Sequence, residues 1–471
     1  MFSSLQDVGA GVDGLPPVVF RHHAEHGACA VANTLLTELN MVLSTGVTPP
    51  EWQSHRLILT YKRHDEHPNA LSSYRGIGIG VTALKVMSLA LNERLNNFLE
   101  TTNALSPEQL GFRRMSGTQE SVLTVSETIR HAAKESNVVC AFLDVAGAYD
   151  TVIRPLLYDR CIQIGIGGRF LSTIQALYKS PMAEIEIGGN VIGAVPIERG
   201  LLQGSPLSPS LFNIYIDGCI RDLKEKARLK SVETGVPYGL YLPTVKHATP
   251  PSPSESPGRD NSENDTAAGA LQSDRILSVW YADDGALLEV DMGRLQWMLD
   301  TLTASLTMMG LVLNVRKTKL LVTLHHKAKW WEEPILRDYI DSTSPLIAYG
   351  LKIETVTEFS YLGTLLNSRG NWCSAWMKAR RRASLSFHEA TLGGFQFHSG
   401  SLASMLIFAR AKIWCHLDYL FAITGTGGCK SSAPYLTADE CIDNVLKRMP
   451  RILECVSPSY RIWRVGYRLP L

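Results

Sequence analysis

The sequence predicts an α+β fold, and three observations carry that prediction. Asn137–Leu143 (NVVCAFL) is a short run dense in β-branched and aromatic residues, as expected of a buried strand. Met182–Ile187 and Asn190–Ile197 flank Gly188-Gly189, a hairpin signal. From about Asn371 onward the apolar spacing is helical only. A mixed β/α centre followed by a helical end is the pattern of an α+β domain with a helical appendage.

The elements follow in order. Ala30–Thr45 has apolar residues at helical spacing and stops near Gly46. Gly80–Leu99 and Glu120–Lys134 are amphipathic helices, and Ser208–Leu223 resumes the pattern after the hairpin. Ile276–Trp280 and Ala286–Val290 are short strands separated by YADDG. Leu295–Met309 is helical and ended by Gly310; Leu311–Val315 and Leu320–Leu324 read as strands. Helices are expected near 371–391, 400–421 and 437–454. Thr249–Asp274 is rich in Pro, Ser, Asn and acids and reads as a disordered loop. The segments on either side look like parts of one sheet, so it is an insertion rather than a linker.

Composition bounds the class. A chain of 471 residues, 45% hydrophobic and 19% charged, is ordinary for a globular protein of two to four compact units. That excludes a mainly disordered, collagen-like or coiled-coil chain. No apolar run is long enough for a membrane span, and MFSSLQDVGAGVDG lacks the basic and apolar blocks of a secretory signal. The nine Cys form no C-x-x-C pair, which argues against a disulfide scaffold or a structural zinc site and for a reducing compartment. The net charge is +1, which argues against a strong, unselective nucleic-acid binder. Asn371–Leu471 holds 13 Lys/Arg against 6 Asp/Glu, a weak pointer to a polyanion that a solvated helix face would equally explain.

Two strings could carry chemistry. Tyr281-Ala282-Asp283-Asp284 places two acids in a turn between apolar strands; an ordinary Asp-Asp-Gly turn is the alternative. In CAFLDVAGAYD, Asp144 ends an apolar strand and Asp150 lies six residues on. An acid at the end of a buried strand is a good ligand for Mg²⁺, which takes hard oxygens; as a plain helix cap it would need no metal. Two strand-borne carboxylates from distant parts of the chain are what two Mg²⁺ ions need.

At these residues the chain resembles the reverse transcriptases of non-LTR (LINE-type) retrotransposons. Eight strings match in the family's order: GVDGLPPVVF (Gly11–Phe20), LILTYKRHDEHPNALSSYRGI (Leu57–Ile77), QLGFRRMSGTQES (Gln109–Ser121), FLDVAGAYD, GLLQGSPLSPSLFNIYI (Gly200–Ile216), WYADD, GLVLNVRKTKLLV (Gly310–Val322) and FSYLGTLL (Phe359–Leu366). The resemblance implies a right-hand polymerase architecture: fingers over 1–135, interleaved with the palm; a palm with a central antiparallel sheet over 136–345, including the insertion at about 245–274; primer grip and helical thumb over 346–425; and a truncated helical extension over 426–471.

The resemblance also implies roles. Asp144 and Asp283, with the Val145 backbone carbonyl, would hold two Mg²⁺ ions (Mn²⁺ as a substitute), with Asp284 a supporting acid. Tyr149 would lie beneath the incoming sugar and exclude a 2′-OH. Lys62, Arg75, Gln203, Gly204 and Lys317 would bind the dNTP. Arg113 and Arg114 would touch the template, and Tyr361, Leu362 and Gly363 the primer. Lys378 and Arg381, in a basic stretch with Arg380 and Arg382, would track duplex phosphates. The implied partners are an RNA template, a DNA primer and dNTPs, with no membrane and no protein partner inferable, inside the cell and in the nucleus.

The chain departs from the pattern in places. Gly76 stands where the family has Pro, which loosens the loop that places Arg75. No endonuclease-like segment precedes the fingers strings and no C-x-x-C knuckle follows, so the chain reads as a polymerase piece of a larger element. A catalytically silent remnant and a group II intron maturase are the competing readings.

Overall fold

In the computed structural model the described residues are 13, 30–61, 69–70, 73–187, 190–242, 275–329, 331–392, 411 and 415–424. The expected insertion, the Gly188-Gly189 turn and the expected helix near 437–454 lie outside them. The first helix, α1 (Ala30–Thr45), has the predicted limits, and Gly46 follows it in a left-handed conformation. Two strands that the apolar pattern did not single out come next, β1 (Ser54–Tyr61) and β2 (Tyr74–Ile79). They pair antiparallel, and the predicted hairpin, β4 (Met182–Ile187) and β5 (Asn190–Pro196), joins them in a four-stranded sheet of order β2-β1-β4-β5.

Helices α2 (Thr82–Thr101) and α3 (Thr118–Ala132) lead into β3 (Val138–Asp144). β3 is the middle strand of a second sheet, with β8 (Ser278–Tyr281), β9 (Asp284–Glu289), β10 (Lys319–Thr323) and β13 (Glu354–Val356), in the order β13-β10-β3-β9-β8. Every pairing in it is antiparallel except β10 with β13. Both faces of β3 are covered. Val139, Ala141 and Leu143 join one hydrophobic cluster, and Val138, Cys140 and Phe142 join the other. That is why β3 reads as an unbroken apolar run rather than an alternation.

The larger cluster lies under α1, α2, α5 (Arg154–Gln163), α6 (Gly168–Leu177), α7 (Ser208–Thr234) and α8 (Met292–Met308); a four-residue helix, α4 (Ala148–Thr151), precedes α5. The smaller packs α3 and the hairpin β14 (Glu358–Tyr361) and β15 (Thr364–Asn367) against the opposite face. Between β10 and β13 come α9 (Glu332–Thr343) and the short strands β11 (Ile347–Ala348) and β12 (Leu351–Lys352). Two helices follow, α10 (Cys373–Leu392) and α11 (Cys415–Thr424).

The structure departs from the sequence-based expectations in three places. α7 runs on to Thr234, eleven residues past its expected end. Its last turns keep Ala227 and Ser231 buried while i,i+3 and i,i+4 pairs line the polar side: Asp222–Lys226 at 2.8 Å, Glu225–Arg228 at 2.8 Å and Lys230–Glu233 at 3.0 Å. Leu311–Val315 is not a strand; only Leu313 makes a bridge, to Val145. Cys373 is disulfide-bonded, where reduced cysteines were expected; Cys140, Cys161, Cys219 and Cys415 are free.

The chain reaches the expected insertion through β6 (Leu240–Tyr241) and leaves it through β7 (Arg275–Ile276). These pair antiparallel, Leu240 with Ile276 and Tyr241 with Arg275. The Arg275 guanidinium lies 4.0 Å from the centre of the Tyr241 ring.

Candidate active site

A cavity of about 840 Å³ opens between the two sheets. Strand β3 delivers Asp144 to it, and the β8–β9 turn delivers Asp283 and Asp284. Asp144 and Asp284 are register partners across β3 and β9, so two acids far apart in sequence meet on neighbouring strands. Burial pushes the Asp144 carboxyl up, opposed by Lys317 and Asn314. Burial, then the negative charges of Asp283 and Asp144, raises Asp284 to about 6, and Lys317 pulls it back. Lys317 lines the same cavity from the turn after Asn314, whose N–H donates to the Asp144 carbonyl at 2.7 Å.

Tyr149, five residues past Asp144, also lines the cavity, its ring stacked on Phe212 at 4.9 Å between centroids. Burial first, then nearby Asp283, raises its phenol well above the ordinary value. Gln203 donates from Nε2 to Asp150 Oδ1 at 2.7 Å, and its carbonyl accepts from Gly78 N at 3.0 Å. A Cβ on Gly204 (φ +100°) would meet the Gly78 carbonyl at 2.9 Å, so only glycine lets this loop lie against β2. Leu201 N donates to the Tyr149 carbonyl at 2.8 Å. The turn after Asp144, the Gln203 loop and β2 are thereby bonded into one wall.

Most of the other expected site residues are not brought into the cavity. Lys62 is outside the described residues; Arg75 is on β2, opposite Thr60, and its side chain is not described. Arg113 is not brought to the cavity. Its guanidinium makes a bidentate pair with Glu100 at 2.7 and 2.9 Å and donates to the Ser106 and Gln109 carbonyls. That hydrogen-bonded pair holds the Glu100 carboxyl below the usual carboxylate range. Arg114 is exposed and pairs with Glu93. Tyr361 is buried against Phe142 rather than offered to a ligand, and its hydroxyl has no hydrogen-bond partner among the described residues. Leu362 does reach the cavity, and the exposed Gly363 forms the hairpin tip with it. Lys378 donates to Ser360 Oγ at 2.9 Å, and burial lowers its amine below the ordinary value; Arg381 is exposed on the same helix, α10.

Residues the sequence reading did not assign hold the acid turn. The segment 108–111 lies alongside β8, with Gln109 bridged to Trp280. Trp280 N donates to the Glu108 carbonyl and Leu110 N to the Trp280 carbonyl, both at 2.8 Å. Gln109 is fully buried. Its Oε1 accepts from Gly111 N at 2.9 Å and Ala282 N at 3.0 Å, and its Nε2 donates to the Ala282 carbonyl at 3.3 Å. A Cβ on Gly111 would run into Ala282 N. Asn213 of α7 donates to the Gly111 carbonyl at 2.6 Å. The string QLGF was the available signal, but its partner lies 173 residues away.

Comparison with known proteins identifies the family. The family model described as reverse transcriptase (RNA-dependent DNA polymerase) matches residues 62–366, well over half of the chain. The RNA-directed DNA polymerase from mobile element jockey of Drosophila melanogaster is 28% identical over 177 residues, 37% of this chain and 19% of that protein. A Pol polyprotein from type-1 retrotransposable element R2 of Popillia japonica is 32% identical over 187 residues, 39% of this chain and 25% of that protein. The chain thus spans about a fifth to a quarter of the length of these relatives. A telomerase from Candida albicans, solved with a fragment of telomeric RNA, covers 93% of this chain and 68% of its own at 11% identity, with a TM-score of 0.42.

Proposed function

This chain belongs to the reverse transcriptase family, LINE-type, and from that premise we propose that it is an RNA-directed DNA polymerase that extends a primer 3′-OH with dNTPs. The observation that carries the proposal is the meeting of Asp144 with the Asp283-Asp284 turn in one cavity, beside Lys317.

The acids fit hard divalent cations. All three donors are carboxylates, and their mutual repulsion, visible in the raised Asp284, is what a cation would relieve. Among the described residues no three His, Cys, Asp or Glu side chains are already drawn into a metal cage; Mg²⁺ keeps several waters and is bound by one or two carboxylates with substrate phosphates. Asp144, Asp283 and the Val145 carbonyl would hold two Mg²⁺ ions, with Asp284 in support, and the ions would supply activation of the 3′-OH and neutralisation of the leaving pyrophosphate.

The chain's own groups do the rest. Tyr149, backed by Phe212, would form the floor under the incoming sugar, where a 2′-OH would clash. Because the Asp150 carboxylate holds the Gln203 amide nitrogen, the amide oxygen is left as the acceptor for a substrate hydroxyl. Lys317, with Lys62 and Arg75 by resemblance, would meet the triphosphate. Leu362 and Gly363 would steady the primer end, and Lys378 and Arg381 the duplex phosphates.

The test is primer extension on an RNA template with dNTPs and Mg²⁺, beside Asp283→Asn. Extension by the parent alone supports the assignment. Equal extension by both would remove Asp283 from the chemistry, and none by either folded protein would favour a silent remnant.

A further inference from the structure

We propose that Gln109 is a positioning residue for the catalytic turn: its buried carboxamide clamps both backbone polar groups of Ala282 and so fixes the backbone from which Asp283 projects. The proposal rests on the polymerase reading above and adds to it a residue outside the cavity.

The geometry needs such a device. Ala282 sits at φ +54°, a left-handed conformation that a residue with a Cβ adopts only when its surroundings over-determine it. It is buried at the turn, where water cannot satisfy its N–H and C=O. Gln109 supplies the missing partners from a segment that is itself fixed. Glu108 is buried beside it, its carboxylate accepting from Ser278 Oγ at 2.6 Å, and Asn213 holds Gly111 from the other side. The orientation of the amide is set by chemistry. Two N–H groups, of Gly111 and Ala282, donate to one end, so that end is the oxygen, and the nitrogen faces the Ala282 carbonyl. A side chain that cannot both accept and donate leaves part of the turn unpaired.

The test compares the parent with Gln109→Leu and Gln109→Glu. Gln109→Leu fills the space and pairs nothing, so kcat for primer extension is expected to fall about a hundredfold while KM for dNTP changes little, the loss of a misaimed group rather than of a binding surface. Its affinity for Mn²⁺, read by electron paramagnetic resonance with no substrate present, is expected to weaken about tenfold, as when a group supporting a ligand is removed. Gln109→Glu is isosteric, and its protonated carboxyl can accept and donate as the amide does. Ionisation turns a negative oxygen toward the Ala282 carbonyl. Its kcat, divided by that of the parent at each pH, is therefore expected to fall about tenfold between pH 6 and pH 8.

A Leu variant with kcat and Mn²⁺ affinity within twofold of the parent overturns the clamp and leaves the polymerase reading standing. A loss of kcat with unchanged Mn²⁺ affinity and a pH-independent Glu-to-parent ratio would reduce Gln109 to packing, and also overturns it. Should the Leu variant not fold, the Glu series decides alone: a flat ratio rejects the clamp and a falling one supports it. Should the parent itself not extend a primer, the polymerase reading fails separately, and Mn²⁺ affinity still tests the clamp, equal values rejecting it and a weaker variant supporting it.

Discussion

The β8–β9 and β14–β15 hairpins are each closed by two residues, and each enters its turn from a tyrosine: Tyr281-Ala282-Asp283-Asp284 in one, Tyr361-Leu362-Gly363-Thr364 in the other. Both turns border the same cavity. Both put a non-glycine residue in the left-handed region at their first position, Ala282 at φ +54° and Leu362 at φ +44°. At the second position they part. Gly363 also has positive φ, at +86°, as in a type I′ turn, whereas Asp283 does not. On the function proposed above, the second turn can use glycine there because it would offer backbone, whereas the first would have to keep a carboxylate. The supports differ accordingly. Gln109, Gly111 and Asn213 brace the acid turn from the interior, while Leu362 is held through its carbonyl by Tyr419 at 3.0 Å. Both left-handed first positions are braced from other elements; the turns differ at the second, where Gly363 takes the positive φ without strain and Asp283 avoids it.

The largest expected effect separates the two hairpins by function. If Asp283 binds metal as proposed, Asp283→Asn should lower extension by about three orders of magnitude or more, since a carboxylate in that role contributes several kcal/mol at the transition state. Its primer–template Kd, measured by fluorescence anisotropy, should be unchanged. Next, Gly363→Val forces a β-branched residue into a left-handed position, at about 1–2 kcal/mol. It should weaken primer–template binding about tenfold with kcat kept within twofold; a selective loss of kcat would undo the contrast.

A smaller effect concerns charge. Asp284 is raised from 3.8 to about 6 in the folded chain, so between those values the folded state binds the extra proton. Its contribution therefore costs stability as pH rises through 6, and that cost is absent below about 4. Without divalent ions, Asp284→Asn should melt a few degrees above the parent at pH 7.5, roughly 1 °C per kcal/mol relieved for a chain of this length, and level with it near pH 4, by calorimetry. A pH-independent difference would mean packing, not charge. Smallest of all, deleting residues 250–270 should leave the melting temperature within about 1 °C, because the ends of that segment are already paired and closure depends weakly on loop length.

Both acid strings were legible from the sequence, because each sits at the end of a strand whose apolar run is local. The ends of α1 and the β4–β5 hairpin were legible for the same reason. What escaped depends on partners far along the chain. Arg113 looks like a free cation until α2 presents Glu100 to it. Tyr361 looks like a contact residue until β3 puts Phe142 beneath it. Gln109 looks like one member of a string until the fold sets Ala282 against it. β1 and β2 gave no clear period because their sheet buries them unevenly: Ile58, Leu59 and Ile77 stay exposed.

The short β6–β7 ladder has a consequence for how the chain can be divided. It joins residues on either side of the segment 243–274, and β8 and β9 follow at once, β9 pairing with β3 and β8 with β9. A backbone cut between 243 and 274 would leave each fragment with its own share of the central sheet and a matched pair of ends to bring the shares together. Residues 1–242 and 275–471, expressed as separate polypeptides, should therefore reassemble by complementation, making this locus a natural split site for a two-component version of the chain.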